Sequence, residues 1–235
     1  MEKYEEFEQY LRAKEPDKVQ KAKNWSIAIG LQDVDHIHPS NFLLQQAKAN
    51  IEGNLSLAQV RKNIEEYYKE KTVREEAIKN RTFEADNVIE RINVLLAEKA
   101  FTFSPVELKH IHEFLFRGIF KRAGQFRNYN ITKNQWVLDG DTIEYGHAGN
   151  LLELLNYDFS EEKKFDYSNH SSVEAINHIA HFTSGIWQIH PFAEGNTRTT
   201  AVFLIKYLGT FGFTVDNESF ARHSWFFRNA LVRSQ

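Results

Sequence analysis

The stretch His190–Arg198 reads HPFAEGNTR and lies between two apolar helical patterns. Before it, apolar residues from Val173 to Ile186 recur with the spacing of one helix face, and Pro191 marks a helix boundary. After it, the apolar pattern predicts a second buried helix that ends near Gly209. The stretch is therefore expected to be a short polar loop between two core helices.

This loop combines the groups that a phosphate-containing substrate requires. His190 is a general base near neutral pH, although the C-terminal end of a helix favours its protonated form. Glu194 offers carboxylate oxygens that suit Mg²⁺. The helix that follows begins with free N–H groups, which bind anions, and Arg198 can grip a phosphate. The residues predicted to bind the nucleotide phosphates are Gly195, Asn196, Thr197 and Arg198.

HPFAEGNTR closely resembles the signature of the Fic (Fido) family, His-x-Phe-x-Asp/Glu-Gly-Asn-Gly-Arg-x-x-Arg. A second similarity precedes it, because Lys121–Arg127, KRAGQFR, resembles the Ala-Gly-x-x-Arg of that family. The resemblance implies a mainly α fold, a Fic-type helical bundle with a small β-hairpin flap. It also implies transfer of AMP from ATP to a Ser, Thr or Tyr hydroxyl of a target protein, or of the protein itself. In this reading His190 is the catalytic base, Glu194 binds Mg²⁺, and ATP is the substrate.

Residues 135–145 predict the hairpin from the residues themselves, because Asp139-Gly140 suits a type I′ turn between two β-prone arms. In the family, such a flap holds the target backbone as an added strand. Other helices are predicted by their start signals and by a last pattern over 217–232. The start signals are Ser56 with Gln59, Ser104 with Pro105 and Glu107, and Ser171 with Glu174.

The N-terminal third carries a further resemblance. Lys48–Asn54, KANIEGN, resembles the inhibitory helix of many Fic proteins, whose glutamate displaces the γ-phosphate of ATP. Glu52 is the residue that this resemblance predicts to be inhibitory. It divides the chain into an antitoxin-like helical segment at 1–70 and a Fic domain at 71–235. A carboxylate near a helix end is otherwise an ordinary solvated group, and the dipole there disfavours it.

Three positions depart from the family pattern. Thr197 stands at the third glycine of the signature and narrows the phosphate pocket, and Ala201 stands at its last arginine. Lys48 occupies the Ser/Thr position of the inhibitory motif. Since that arginine binds the γ-phosphate and pairs with the inhibitory glutamate, its absence alters both functions. Arg198 or Lys206 are the candidates to replace it.

Composition restricts the function classes. The 235 residues carry a net charge of −3, which gives no global attraction to nucleic acid or to anionic membranes. The chain has no cysteine, so neither disulfides nor thiolate zinc sites can form. No secretory signal or apolar span is present, so we expect a cytoplasmic protein. Trp25 and the first helix are candidates for a homodimer interface, and the end of the chain at Leu231–Gln235, without a natural helix terminator, indicates truncation.

Two rival readings remain open. A zinc hydrolase would use His178, His181 and His190, the first two of which share a helix face. A catalytically weak or inactive regulatory protein on a Fic scaffold would explain Thr197 and Ala201. Transfer of another group, such as UMP, GMP or a phosphoryl group, is a variant of the main reading, because the loop recognises phosphates and not bases.

Overall fold

The computed structural model describes residues 7–12, 14–134, 142–215 and 223–233. Contacts divide the chain into two compact units, each with its own core. The first unit comprises Met1–Lys99 and Gly212–Trp225, and the second comprises Ala100–Phe211 and Phe226–Gln235. The boundary at residue 70 was predicted from the resemblance to the Fic family and not from compactness, so it stays a prediction. The contacts place all helices that end before residue 98 in the first compact unit.

The first unit is helical throughout its described part. Helices α2 and α6 form its main packing pair, α3 packs on α2, and α4 and α5 pack on α6. Their bounds are α1 (Glu8–Leu11), α2 (Pro16–Gly30), α3 (Asn41–Ile51), α4 (Leu57–Tyr67), α5 (Lys71–Lys79) and α6 (Thr82–Ala97), and a 3₁₀ turn (Leu31–Asp35) follows α2.

Trp25 lies in the core of this unit. Its side chain is fully buried, and its Nε1 donates a hydrogen bond to Asn50 Oδ1 at 2.9 Å. The expectation that Trp25 serves a dimer interface was therefore wrong. A tryptophan that buries both its rings and its N–H satisfies its polar group inside the unit and leaves nothing for a partner.

Local signals account for the helix ends in this unit. Ser40 caps α3 by accepting a hydrogen bond from Leu43 N, and Ser56 and Gln59 form the predicted capping box of α4. Gly53 has φ of +86°, a left-handed conformation that commonly ends helices and that glycine adopts without steric strain. Helix α3 therefore ends at its C-cap residue Glu52, and Gly53 follows it directly.

The second unit is a bundle of four longer helices with a two-stranded sheet. Helix α10 packs against α7 and α9, and α8 packs against α9 and α7. The elements are α7 (Pro105–Phe116), β1 (Thr132–Asn134), β2 (Thr142–Glu144), α8 (Leu151–Lys164), α9 (Ser172–Ile189) and α10 (Asn196–Thr210). The mainly α fold with a small hairpin is confirmed.

Aromatic rings fill the centre of this bundle. Phe103 contacts rings from α8, α9 and α10, with centroid distances of 4.8 Å to Phe159, 5.4 Å to Phe182 and 4.5 Å to Tyr207. Ser104 then starts α7 by accepting a hydrogen bond from Glu107 N, as predicted. The position of the motif loop follows from this core, because α9 and α10 are both anchored to it on either side of the loop.

The sheet differs in register from the predicted hairpin. Strands β1 and β2 are antiparallel, and Asn134 pairs with Thr142. In an unbroken ladder closed by a two-residue turn at Asp139-Gly140, the partner of Thr142 would lie three residues further along than Asn134. The first strand therefore begins earlier than predicted, and the predicted turn lies outside the described residues.

Two helices also differ from expectation. In α9, Val173 and Ile176 are 68% and 65% exposed, so the first turns of this helix leave their apolar residues in solvent and only its second half is core. The last helix, α11 (Ser224–Arg233), covers part of the predicted span 217–232, and residues 216–222 lie outside the described part. Within the described residues, no helix combines the length and apolarity needed to cross a bilayer.

Candidate active site

Helix α9 ends at His190, whose backbone is left-handed with φ of 49°. The carbonyl oxygen of Trp187 accepts the His190 backbone N–H at 3.1 Å and lies 3.2 Å from its ring Nδ1. A carbonyl oxygen can only accept, so Nδ1 carries the ring proton and Nε2 keeps its lone pair. Nε2 is therefore the ring atom that can take a proton from a substrate.

The imidazole of His190 is buried, with 5% of the residue exposed. Its ring lies 4.1 Å from that of Tyr145 and 5.4 Å from that of Trp187. The pKa of His190 is lowered to about 3, chiefly by burial and to a smaller extent by the charge of nearby Lys133, while the hydrogen bond to Trp187 acts in the opposite direction. A helix C-terminus favours the protonated form, but here the loss of hydration on burial acts against it and determines the net direction.

Arg127 fixes the backbone on both sides of His190. Its Nε donates to His190 O at 2.8 Å, and its Nη2 donates to Ile189 O at 3.2 Å and to Gly146 O. The backbone N–H of Arg127 donates to Pro191 O at 2.9 Å. This arginine is 2% exposed, and its Nη1 donates to a fourth backbone carbonyl, that of Tyr129, at 2.7 Å. It thereby holds the loop entrance against the segment that follows β2.

His112 holds the other end of the loop. Its Nδ1 accepts a hydrogen bond from Gly124 N at 2.9 Å, so its Nε2 carries the proton and donates to Glu194 O at 3.0 Å. The ring stacks on Phe192 with centroids 3.8 Å apart. Burial lowers the pKa of His112 to about 4, which keeps this neutral tautomer at physiological pH.

The loop closes on itself through Asn196. Its Oδ1 accepts from Phe192 N at 2.9 Å, and its Nδ2 donates to Phe192 O at 2.8 Å. Gly195 sits between them at φ of +74°, and a Cβ there would lie 2.5 Å from the ring of Phe116. The Asn196 amide therefore shapes the loop. Glycine at 195 is required both by its conformation and by the space available.

Helix α10 begins directly behind this turn. Its first N–H groups have no acceptor within the helix, which makes its N-terminus an anion site. Arg198 is buried beside it, with its guanidinium 4.8 Å from the centre of the Phe116 ring. Thr197 Oγ1 accepts a hydrogen bond from Trp187 Nε1 at 3.0 Å, and Glu194 is exposed. The predicted base His190, the predicted Mg²⁺ ligand Glu194 and the predicted phosphate-binding residues therefore all lie in one loop of nine residues.

Residues 102–208 match the model of the Fic/DOC family. The chain contains a Fic/DOC domain. The match begins before α7 and ends at residue 208, within the last turn of α10, so it includes the loop whose geometry is given above. Members of this family commonly transfer AMP or other groups to proteins.

Two solved structures resemble the chain. A Fic domain-containing signaling protein from Bacteroides thetaiotaomicron VPI-5482 is 13% identical, with a TM-score of 0.56 over 97% of this chain and 78% of that chain. The N-terminal Fic domain of a Bartonella effector protein (Bep), from Bartonella sp. AR 15-3, is 24% identical, with a TM-score of 0.47 over 60% of this chain and 66% of that chain. The first shows a shared fold. No curated protein matches the chain.

Three residues of the Fic/DOC domain site were missed as site residues by sequence reasoning. Arg127 was noted only as part of a motif, His112 was given no role, and Tyr145 was part of the predicted hairpin. The signal for Arg127 was available, since a buried arginine after Ala-Gly can serve several carbonyls. No sequence signal identifies His112, because its two partners lie 12 and 82 positions away.

Glu52 lies in the first unit, at the C-terminal cap of α3. It is exposed, and its carboxylate accepts hydrogen bonds from Tyr10 Oη at 2.6 Å and from Asn54 Nδ2 at 3.2 Å. The bond to the carboxylate raises the pKa of Tyr10. The inhibitory role of Glu52 stays a prediction.

The histidines of the zinc-hydrolase reading are placed otherwise. His178 Nε2 lies 2.7 Å from Glu162 Oε2, and its ring stacks on Phe165 at 3.7 Å. Among the residues that the structure describes, no group of three or more His, Asp or Glu side chains is arranged to hold a metal ion. The ligand set that this reading needs is therefore missing from the described part of the chain.

Proposed function

We propose that the protein transfers AMP from ATP to a hydroxyl side chain of a target protein. The hydroxyl oxygen attacks the α-phosphorus, its proton passes to His190 Nε2, and pyrophosphate leaves. The observation that carries this proposal is the orientation of the imidazole. The contact of Nδ1 with Trp187 O leaves a lone pair on Nε2 at the start of the motif loop.

The phosphates would bind at the N-terminus of α10. Arg198 lies there and carries a permanent positive charge, and the first N–H groups of the helix face the same end. Glu194 suits Mg²⁺, because this ion is commonly held by one or two carboxylates together with substrate phosphates, and the Glu194 side chain is exposed. When bound, Mg²⁺ would neutralise phosphate charge and favour departure of pyrophosphate.

Access to His190 requires a side-chain movement. The ring of Tyr145 lies over the imidazole of His190, and His190 is only 5% exposed. A substrate hydroxyl therefore reaches Nε2 when the Tyr145 ring swings aside. Release of this ring also hydrates the imidazole and returns its pKa towards the ordinary value, which improves His190 as a base.

Autoinhibition by Glu52 is the second part of the proposal. The carboxylate would compete with the γ-phosphate of ATP, as the resemblance of KANIEGN predicts. Tyr10 and Asn54 both donate to this carboxylate, so they would hold the side chain in one orientation. Replacement by glycine removes the competing charge and should raise the rate of transfer.

The test is incubation with ATP labelled at the α-phosphate, Mg²⁺ and cell lysate, followed by gel analysis of labelled protein. Wild type is compared with His190→Ala and Glu52→Gly. Loss of the base should lower transfer by about 10²–10⁴-fold. Transfer that survives His190→Ala would exclude the base assignment, and transfer unchanged in Glu52→Gly would exclude the inhibitory role.

A regulatory binding protein is the second candidate. The depressed pKa of the buried His190 and the loss of the second signature arginine at Ala201 favour it. The same assay separates the two readings when UTP, GTP and γ-labelled ATP are included. Absence of label with every nucleotide, in wild type and in Glu52→Gly alike, would support the binding protein.

A further inference from the structure

A cavity of about 560 Å³ lies within the second unit, beside the motif loop. Its walls come from α8, from the second half of α9 and from the end of β2. Gln188 and Ile189, the two residues before His190, line it, and so does Tyr145. Since Tyr145 also covers the imidazole at 4.1 Å, the cavity and the catalytic histidine share one wall.

The lining of this cavity is acidic. Four carboxylates border it, and no lysine or arginine is among the described lining residues. The carboxylates belong to Glu144, Asp158, Glu161 and Glu162. Glu161 Oε1 lies 2.6 Å from Nζ of Lys164, a residue that does not line the cavity. Two histidines of α9, His178 and His181, also line it. Tyr157 and Phe182 add aromatic surface. An anionic ligand such as a nucleotide phosphate would be repelled here.

Asp158 is given room by a glycine in the middle of a helix. A Cβ at Gly185 would lie 2.8 Å from Asp158 Oδ2, closer than side chains normally approach. Glycine inside a helix is less favourable than alanine, so helix propensity is lost at this position while the carboxylate of Asp158 gains room beside α9. Burial raises the pKa of Asp158 and the nearby His181 lowers it. A bound cation would favour the charged form of Asp158.

Glu162 is the deepest of the four carboxylates, with 0% of its side chain exposed. Its Oε1 accepts hydrogen bonds from Tyr207 Oη at 2.5 Å and from Tyr167 Oη. Its Oε2 lies 2.7 Å from His178 Nε2 but makes no hydrogen bond of acceptable geometry to any described atom. A buried carboxylate oxygen that lines a cavity and lacks a well-placed donor is suited to a ligand that brings N–H groups.

We propose that this cavity binds the side chain of a lysine or arginine in the target protein, close in sequence to the hydroxyl that is modified. The proposal rests on the proposed function for the identity of the ligand as a protein substrate. The four carboxylates supply charge complementarity, Tyr157 and Phe182 accept the alkyl part or the guanidinium face, and Asp158 is the central acceptor. Entry of the cation beside Tyr145 would also favour displacement of that ring from His190.

Binding is tested without ATP, on the full chain, with two acetylated pentapeptides. One contains an arginine and a threonine in an alanine background, and the other has the arginine replaced by citrulline, which keeps the shape without the charge. Chemical shifts of the Gly146 and Gly185 amides, measured by NMR on isotope-labelled protein, report binding at the cavity. We expect the arginine peptide to bind at least about tenfold more tightly, because charge-assisted hydrogen bonds are lost with citrulline.

Variants localise the effect. Asp158→Asn should weaken binding of the arginine peptide by about tenfold, and Gly185→Ala, which displaces the same carboxylate, should act in the same direction. Glu153→Gln is the matched control, because it removes one acidic charge from α8 at an exposed position outside the cavity. It should change affinity less than twofold. Circular dichroism establishes that each variant is folded.

The possible outcomes separate this inference from the proposed function. Equal binding of both peptides, equal effects of Asp158→Asn and Glu153→Gln, or no binding at millimolar peptide would each overturn it, whatever the labelling assay gives. Arginine-dependent binding that Asp158→Asn weakens would support it. If that result is accompanied by no AMP transfer, the proposed enzymatic function falls and the cavity remains a cation-binding site.

Discussion

Buried polar groups have different partners in the two units. In the first unit, the Asp86 carboxylate accepts hydrogen bonds from Ser40 N, Ser40 Oγ and Tyr68 Oη at 2.8, 2.5 and 2.7 Å. Around the motif loop of the second unit, the side chains of Arg127 and His112 contact backbone atoms. The first arrangement ties side chains of neighbouring helices together. The second fixes the path of a loop.

The difference explains what each arrangement can do. The contacts of Asp86 join the start of α3, the end of α4 and α6, so they stabilise the packing of three helices. The contacts of the loop hold its backbone in place, while the side chain of Glu194 stays exposed. The polyphosphate binding that we propose would benefit from such a fixed backbone, because the binding groups would need no reorganisation.

The largest effect is expected for Arg127→Met. The change leaves the carbonyls of His190, Ile189, Gly146 and Tyr129 without their donor, and it should lower the free energy of unfolding by about 3–5 kcal/mol. AMP transfer should fall at least about 100-fold, because the loop loses its shape. Urea denaturation and the labelling assay measure the two effects. Arg117→Met, at an exposed position, is the control and should change neither.

The pH dependence of stability should have contributions from His112 and His190, because burial lowers the pKa of both, and His112 can be tested without changing the proposed base. The pKa of His112 is about 4 in the folded state and about 6.5 in the unfolded chain, so the unfolded state binds more protons between these limits. Stability is therefore lost as the pH falls from about 6.5 to 4, by about 3 kcal/mol from this residue. Asp86 acts in the opposite direction, because burial raises its pKa and its folded form binds protons more readily. Its contribution to stability grows as the pH falls towards its unfolded pKa.

His112→Phe tests this assignment, since it keeps the stacking on Phe192 and removes the titration. The fall in unfolding free energy between pH 6.5 and 4 should become smaller by the amount given above. His110→Phe, an exposed position on the same helix, is the matched control and should leave the pH profile unchanged. An unchanged profile in His112→Phe would contradict the account.

Asp86→Asn examines the other side of the comparison. Asparagine offers one acceptor oxygen where three donors converge, so unfolding free energy should fall by about 2 kcal/mol. AMP transfer should not fall, because this network lies in the first unit and holds no part of the motif loop. A loss of transfer as large as that in Arg127→Met would show that the two arrangements are not separate in function.

Thr197→Val should have the smallest effect. Valine keeps the shape of threonine but leaves Trp187 Nε1 without its acceptor, which costs about 1 kcal/mol of unfolding free energy. Thr197→Ser keeps the hydroxyl and should cost clearly less. Equal destabilisation by both variants would mean that the methyl group, and not the hydrogen bond, makes the threonine useful here.

Features governed by near neighbours were predicted from the sequence. The capping boxes of α4 and α9, the start of α7 at Ser104 and the end of α9 at His190 each depend on residues within one or two helical turns. The strand register was not predicted, because the Asp139-Gly140 signal describes a turn and not the pairing of residues on either side of it. The exposure of Val173 was missed because periodicity shows which face is apolar but not whether another element covers it.

By itself, the sequence determined the motif loop, its flanking helices and the Fic/DOC character of the domain. Tertiary structure alone decided that His112 and Arg127 hold this loop, that Tyr145 covers His190, and that four carboxylates gather beside it. The physical reason is the range of the interactions. Caps and turns act between residues a few positions apart, whereas burial and the pKa changes that follow from it arise only when distant segments exclude water together.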